Sequence, residues 1–253
     1  MRVIYSFLIA FSTYSRIPVP QAPWSEENRK YVMCFFPLIG AVIGAALWLW
    51  LWLSARLEFG PFMKGAVGAL IPLLVTGGIH MDGFMDTLDA LASWQPKEKK
   101  LEILKDSRVG AFAAMGCCGY MLLMAALLAE ARPADAPLLG MGFILSRALS
   151  AWALTALRGA RPDGMLDGFA RAARRRLVSA SSGVYAAACL AVWALCGGWI
   201  ALLCAAAAAA MTLCYRHMAY EQFGGVTGDL AGWFSQATEL CLTAAVVIGG
   251  KLL

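Results

Sequence analysis

An all-α fold is predicted: a polytopic integral membrane helical bundle of about seven transmembrane helices, plus a short N-terminal interfacial helix. Three observations predict it. Of 253 residues, 60% are hydrophobic and only 15% charged, against roughly half and a quarter in a soluble globular domain. The apolar residues gather in blocks close to the roughly 20 residues a helix needs to cross hydrocarbon. The basic residues concentrate in alternate connections between those blocks. The chain reads as one membrane domain over residues 1–253, with lipid as its surroundings. Its net charge of +5 is modest and marks no nucleic-acid partner.

Taken in order, Val3–Phe11 is apolar but short and lacks a small-residue cleavage site. Residues 1–13 therefore read as an interfacial or half-buried helix, not as a cleaved signal. Spans are expected at about 33–54, 63–79, 110–129, 137–157, 181–197, 198–214 and 232–250. Gly197-Gly198 supplies a tight turn between two short spans, and the Ala205–Ala210 run lets helices approach closely. Eight cysteines (Cys34, Cys117, Cys118, Cys189, Cys196, Cys204, Cys214, Cys241) lie in or beside apolar segments, and none forms a C-x-x-C pair. They read as small core residues, not as disulfides or zinc ligands.

The hydrophilic connections sort by charge. Segments 14–31, 80–109, 158–176 and 215–231 hold Arg16, Arg29, Lys30, Lys97, Lys99, Lys100, Lys105, Arg108, Arg158, Arg161, Arg171, Arg174, Arg175, Arg176 and Arg216. The intervening connections are short and poor in Lys and Arg. The positive-inside rule puts the four basic segments and the N-terminus in the cytoplasm, and the C-terminus outside. All polar motifs then fall at one membrane face. That suits an enzyme drawing polar substrates from the cytoplasm better than a transporter, whose ionisable residues more often lie near mid-bilayer.

The strongest chemical signal is Thr-Gly-Gly-Ile-His-Met-Asp-Gly-Phe-Met-Asp-Thr-Leu-Asp at 76–89. Asp82, Asp86 and Asp89 are spaced i, i+4, i+7, so on a helix they share one face. Three acids beside a bilayer repel each other unless a cation sits between them, and Mg²⁺ is the hard cation that bridges carboxylates to phosphates. A first helical turn with dipole-stabilising acids explains one or two of them. Gly77 and Gly78 can unwind the end of the preceding span, and Gly83 permits close backbone approach to a ligand. His80 can serve as general base, phosphate donor or interface residue; His217 reads as structural.

Three further segments carry candidates. In Lys105-Asp106-Ser107-Arg108-Val109-Gly110, Asp106 can complete a metal site and Arg108 can grip a phosphate, although Asp or Ser also reads as a plain helix cap. Gly224-Gly225-Val226-Thr227-Gly228-Asp229 resembles a phosphate-cradling loop before a helix, with Gly225, Thr227 and Gly228 as ligand-binding positions and Asp229 favouring a metal-bound phosphate. Glu239 and Arg147 lie inside apolar spans and need partners there. Arg16 opens the first basic connection and, like Arg147, can bind phosphate.

In that order, the motifs resemble those of the cobalamin synthase family, the adenosylcobinamide-GDP ribazoletransferases. They are Ser15-Arg16-Ile17-Pro18-Val19-Pro20, Phe36-Pro37-Leu38-Ile39-Gly40, Gly77 to Leu91, Lys105 to Phe112, Ser146-Arg147, and Gly224 to Asp229 with Glu239. Phe84 and Met85 stand where smaller or aliphatic residues are usual, and Trp233 where a small one is. The resemblance implies an enzyme of the bacterial cytoplasmic membrane, with its active site facing the cytoplasm. It would join adenosylcobinamide-GDP to α-ribazole or α-ribazole 5′-phosphate and release GMP. Mg²⁺ is expected on Asp82, Asp86 and Asp89, with Asp106, Asp229 and Glu239 as further candidate ligands. His80 or an aspartate would take the proton. Arg16, Arg108 and Arg147 would meet phosphate charge, and Gly78, Gly83 and Ser107 would line the substrate. An oligomer is compatible with this chain. The rival readings are a CDP-alcohol phosphotransferase, whose D-G-x-x-A-R opening is broken here by Asp86-Thr87, and a cation-coupled transporter.

Overall fold

Long apolar runs and short polar breaks give eleven α-helices among the described residues, 1–160 and 173–252, of this computed structural model. Arg161 and Arg171 of the expected basic connection lie outside that range. The helices are α1 (Arg2–Tyr14), α2 (Glu26–Arg29), α3 (Val32–Arg56), α4 (Pro61–Thr76), α5 (Ile79–Ala92), α6 (Lys97–Ile103), α7 (Ala111–Glu130), α8 (Ala136–Ala156), α9 (Arg175–Gly197), α10 (Ile200–Phe223) and α11 (Gly228–Gly249). Among the described residues there is no strand; a single parallel bridge pairs Gly159 with Val226. Six helices, α3 and α7 to α11, are long and apolar enough to cross a membrane. The pair α4–α5 passes the same test only together, across a 99° bend, which makes a seventh span when counted as one. The all-α membrane bundle expected from hydropathy is therefore the fold. All eight cysteines are free thiols.

The helix ends sort into two ends of the bundle. At one end Lys64 Nζ donates to the Ala131 carbonyl (2.8 Å), Arg132 pairs with Asp135 (2.9 Å), and Lys251 pairs with Glu130. At the other end Lys97 Nζ donates to the Tyr220 carbonyl (3.1 Å), Lys100 Nζ to Gln222 Oε1 (2.5 Å) and Arg158 Nη2 to the Gly224 carbonyl (3.0 Å). The second end holds the acid-rich segment and most of the basic residues. In α1, Ile9, Ala10 and Phe11 are buried in the main core, so the helix is half-buried, and Ser6 Oγ ties it to the Asn28 carbonyl (2.6 Å).

Helices in lipid gain little from burying apolar surface against one another, so close backbone packing has to hold them together. The sequence places glycines where this happens. A Cβ on Gly40 would sit 2.2 Å from the Phe143 carbonyl oxygen, and one on Gly44 would sit 2.8 Å from Gly140 Cα. Gly65 likewise lies against the Ala125 carbonyl, at 2.1 Å. These contacts seat α3 on α8 and α4 on α7. Gly183 on α9 faces open space. Gly40→Leu should therefore lower the midpoint of thermal unfolding in detergent, by the equivalent of about 1–3 kcal/mol of overpacking. Gly183→Ala should leave it unchanged or raise it slightly. Equal midpoints for the two variants would refute this packing.

Candidate active site

The break between α4 and α5 builds the site. Gly77 and Gly78 have φ of +66° and +83°, a region that side chains with a Cβ rarely enter. The chain turns there, so α4 ends at Thr76 rather than at the expected residue 79. Arg16 covers the turn. Its backbone N–H donates to the Val75 carbonyl (2.8 Å), and a Cβ on Gly77 would lie 2.4 Å from Arg16 Nε. This exposed arginine thus stands beside the start of the acid-bearing helix.

On α5 the polar residues divide between two faces. At 100° per residue, Asp82, Asp86 and Asp89 point about 200°, 240° and 180° away from His80. Asp82 is exposed, Asp86 and Asp89 are half-buried, and His80, Phe84 and Thr87 are buried. His80 packs between the rings of Tyr14 (6.2 Å) and Phe36 (5.4 Å). The helix therefore keeps His80 away from the acid face, and the expectation that both act on one ligand does not fit this geometry.

Two glycines bring α11 against α5. A Cβ on Gly83 would lie 2.7 Å from the Asp229 carbonyl oxygen, and one on Gly232 would lie 2.9 Å from the His80 carbonyl oxygen. Gly83 thus makes room for a helix backbone, not for a ligand. The two pairs run in opposite directions, so the helices cross antiparallel and set Asp229 beside the acid face. The charges of Asp82, Asp229 and Asp89 all bear on Asp86.

The glycine-rich segment before α11 has a different role from the expected one. The Gly224 amide donates to the Tyr220 carbonyl, that of Gly225 to Ala219 and that of Val226 to Arg158. These amides close the end of α10 and hold the 158–160 strip, leaving none of the three for a phosphate. A Cβ on Gly225 would strike the Arg158 carbonyl oxygen at 2.5 Å, which accounts for that glycine. Thr227 caps α11, its hydroxyl accepting from the Leu230 amide (3.2 Å), with Gly228 in the first turn.

Other candidates are engaged elsewhere. Both oxygens of Asp89 cap α7, accepting from the amides of Gly110 (2.6 Å) and Ala113 (2.8 Å). Its charge meets the positive end of that helix rather than serving first as a metal ligand. Asp106 and Arg108 form a bidentate pair (Nε–Oδ1 3.0 Å, Nη2–Oδ2 2.6 Å) on the exposed loop, beside exposed Ser107. That hydrogen-bonded guanidinium holds the Asp106 carboxyl down to about 2. Arg147 Nη1 and Glu239 Oε1 are 2.5 Å apart, with both side chains fully buried. Glu239 stands ten residues along α11 from Asp229, about 15 Å up the helix, too far to share a metal ion with it. Glu239, expected on a metal, and Arg147, expected on phosphate, thus form an internal ion pair instead.

What remains at the acid face is Asp82, Asp86 and Asp229, with Arg16 near the start of α5. Among the described residues, no three His, Cys, Asp or Glu side chains form a ready-made metal cage. The donors are all oxygen and come from two helices. That fits a hard cation such as Mg²⁺, which keeps several waters and is held by one or two carboxylates together with substrate phosphates. Tyr120 on α7 and Gln236 on α11, both buried, carry no sequence signal because a lone phenol or amide in an apolar run forms no motif. Asp89→Ala should destabilise the protein by about 1–2 kcal/mol through the lost cap. Asp89→Asn should recover part of that. Denaturation midpoints in detergent check both, and an unchanged Asp89→Ala midpoint would contradict the capping role.

The family model for cobalamin-5-phosphate synthase matches residues 6–247. Proteins named adenosylcobinamide-GDP ribazoletransferase are similar over nearly the full length. The one from Lachnoclostridium phytofermentans is 39% identical over 98% of this chain and 95% of its own. Those from Desulfitobacterium hafniense and Ralstonia nicotianae are 34% and 32% identical, each over 92% or more of both chains. No solved structure matches. With that model matching nearly the whole chain and relatives above 30% identity over more than nine-tenths of it, the chain belongs to the cobalamin-5-phosphate synthases.

Proposed function

We propose that this chain is an adenosylcobinamide-GDP ribazoletransferase acting as a Mg²⁺-dependent phosphotransferase, with its acid face open to the cytoplasm in a bacterial inner membrane. The observation that carries the reading is the convergence of Asp82, Asp86 and Asp229 at one end of a membrane bundle, in a chain similar to ribazoletransferases over 98% of its length. The basic residues clustered at the same end support the cytoplasmic placement.

The reaction is transfer of a phosphoryl group to an alcohol. A hydroxyl of α-ribazole, or of its 5′-phosphate, forms a bond to the phosphorus attached to cobinamide. The bond from that phosphorus to the bridging oxygen breaks, and GMP leaves with that oxygen. The hydroxyl proton passes to a base, and the geometry favours an acid-face carboxylate over His80, which lies on the opposite side of α5. Such reactions gain most from positioning and charge neutralisation. Bound at Asp82, Asp86 and Asp229, Mg²⁺ would neutralise diphosphate charge and draw the two substrates into one site. Arg16, beside the start of α5, is placed to meet phosphate charge. Arg108 would have to leave Asp106 before it could do the same.

The rival readings have less support. A transporter would use acids inside the bundle as a cation path, yet Glu239 there is already paired with Arg147. The CDP-alcohol phosphotransferase opening is broken, and the family match lies elsewhere.

With purified protein in liposomes, Asp82→Ala and Asp86→Ala should each reduce Mg²⁺-dependent GMP release from adenosylcobinamide-GDP by about 10²-fold or more, the scale on which loss of a charge-stabilising group acts. Asp106→Ala should reduce it far less. Near-normal turnover in the Asp82 variant, or full activity in excess chelator, would overturn the reading.

A further inference from the structure

Deep in the bundle, several buried polar atoms have no hydrogen-bond partner among the described residues. They are Nε and Nη2 of Arg147, Oε2 of Glu239, both ring nitrogens of His80, and the Tyr120 hydroxyl. None of these four side chains belongs to a residue more than 5% exposed. They come from four helices, α5, α7, α8 and α11, that pack on one another: Glu239 meets Arg147 Nη1, the His80 carbonyl faces Gly232 two turns before Glu239 on α11, and the Tyr120 ring meets Phe84 one turn after His80; the Glu239 and Arg147 charges also bear on Tyr120, and that of Arg147 on His80. Gln236 lies one turn before Glu239 on the same stripe of α11, and its Oε1 is likewise buried without a partner. Buried polar groups in native proteins are hydrogen-bonded, and where protein supplies no partner, ordered water does. In hydrocarbon the penalty for leaving them bare is several kcal/mol per group.

The direct contacts of this cluster converge on α5. His80 is in its first turn, and the ring of Tyr120 lies 5.4 Å from that of Phe84, one turn later. His80 and Phe84 alternate with Asp82 and Asp86 on the same two turns. Whatever fixes residues 80 and 84 therefore sets the rotation of α5 about its axis. A carboxylate stands about 6 Å from that axis, so a 20° rotation moves it about 2 Å.

We propose that Tyr120, Arg147, Glu239 and His80 enclose ordered water, and that Tyr120 acts through this hydrated centre as a positioning residue for Asp82 and Asp86. The positioning half of this inference rests on the reaction proposed above; the water half does not. A misplacement of about 1 Å at reacting groups can reduce rate by up to 10²-fold.

Two measurements test it. X-ray hydroxyl-radical footprinting of the intact protein in detergent labels buried side chains next to bound water. Tyr120 and His80 should be labelled, while Trp193, fully buried with its N–H bonded to the Leu138 carbonyl (2.9 Å), should not. Absence of label at both Tyr120 and His80 would overturn the hydrated centre, whatever the enzyme does. Tyr120→Phe keeps the ring contact with Phe84 and removes only the hydroxyl. In liposomes it should lower kcat for GMP release about 10-fold and raise the Mg²⁺ concentration for half-maximal rate, with KM for adenosylcobinamide-GDP near wild type and an unchanged unfolding midpoint. A variant that loses thermal stability but keeps wild-type kcat and Mg²⁺ response would show Tyr120 to be structural only and overturn the positioning role. If the wild-type protein itself releases no GMP, the proposed reaction fails instead, and the footprint still decides the water.

Discussion

The antiparallel crossing of α5 and α11 is the contact on which the rest of the site depends. It needs two helices closer than side chains allow, and Gly83 and Gly232 provide that by presenting backbone to backbone. The consequence is electrostatic. With Asp229 drawn against the Asp86 side of α5, carboxylates from two ends of the sequence share one field. Separating the helices by one methyl group would relax that repulsion and also scatter the carboxylates. The protein thus uses packing energy to hold together charges that would otherwise drift apart, and a bound cation would repay that repulsion.

The Arg147–Glu239 pair belongs to a different part of the same argument. A buried ion pair gives weak stabilisation at best, since desolvating both charges offsets most of their attraction, whereas removing one partner is strongly destabilising. Its value here is specificity of arrangement. Arg147 Nη1 also donates to the Phe143 carbonyl (3.0 Å) and reaches Ser146 Oγ (3.3 Å), so the pair fixes α8 to α11 in one register. An apolar contact between two smooth helices in lipid would permit sliding; a buried charge paired across the interface with one opposite charge does not.

How much of this was legible in the residues depends on the length scale of the signal. Hydropathy and charge bias act over some 20 residues, and they located the spans and the shared end of the polar motifs well. The i, i+4, i+7 spacing of the acids placed them on one helical face because that is a property of a single helix. The division between that face and His80 was present in the same spacing, since two residues are 200° apart, but spacing alone does not say which side of the helix is buried. Gly83, Gly225 and Asp89 were read as ligand-facing because a glycine beside an acid and a glycine before a helix are equally at home in a phosphate site and in a tight packing contact. Only the third dimension separates those cases: Gly83 meets α11, Gly225 meets the 158–160 strip, and Asp89 meets the amides of α7.

One constraint links the two faces of α5. An acid face needs water or a cation, whereas the opposite face lies in the core of a lipid-embedded bundle. A helix in that position can rotate only at a cost on both sides: the acids would turn into the core, or His80 and Thr87 into the cleft. The 99° break at Gly77-Gly78 matters for this reason. A straight continuation of α4 would carry the acids roughly 30–40 Å from its start, off the end of the bundle and away from α11. The bend frees α5 to follow α11 toward the end of the bundle where Asp229, the basic loops and Arg16 gather. The unusual backbone at two glycines is therefore what sets the aspartates of α5 against α11 and Asp229.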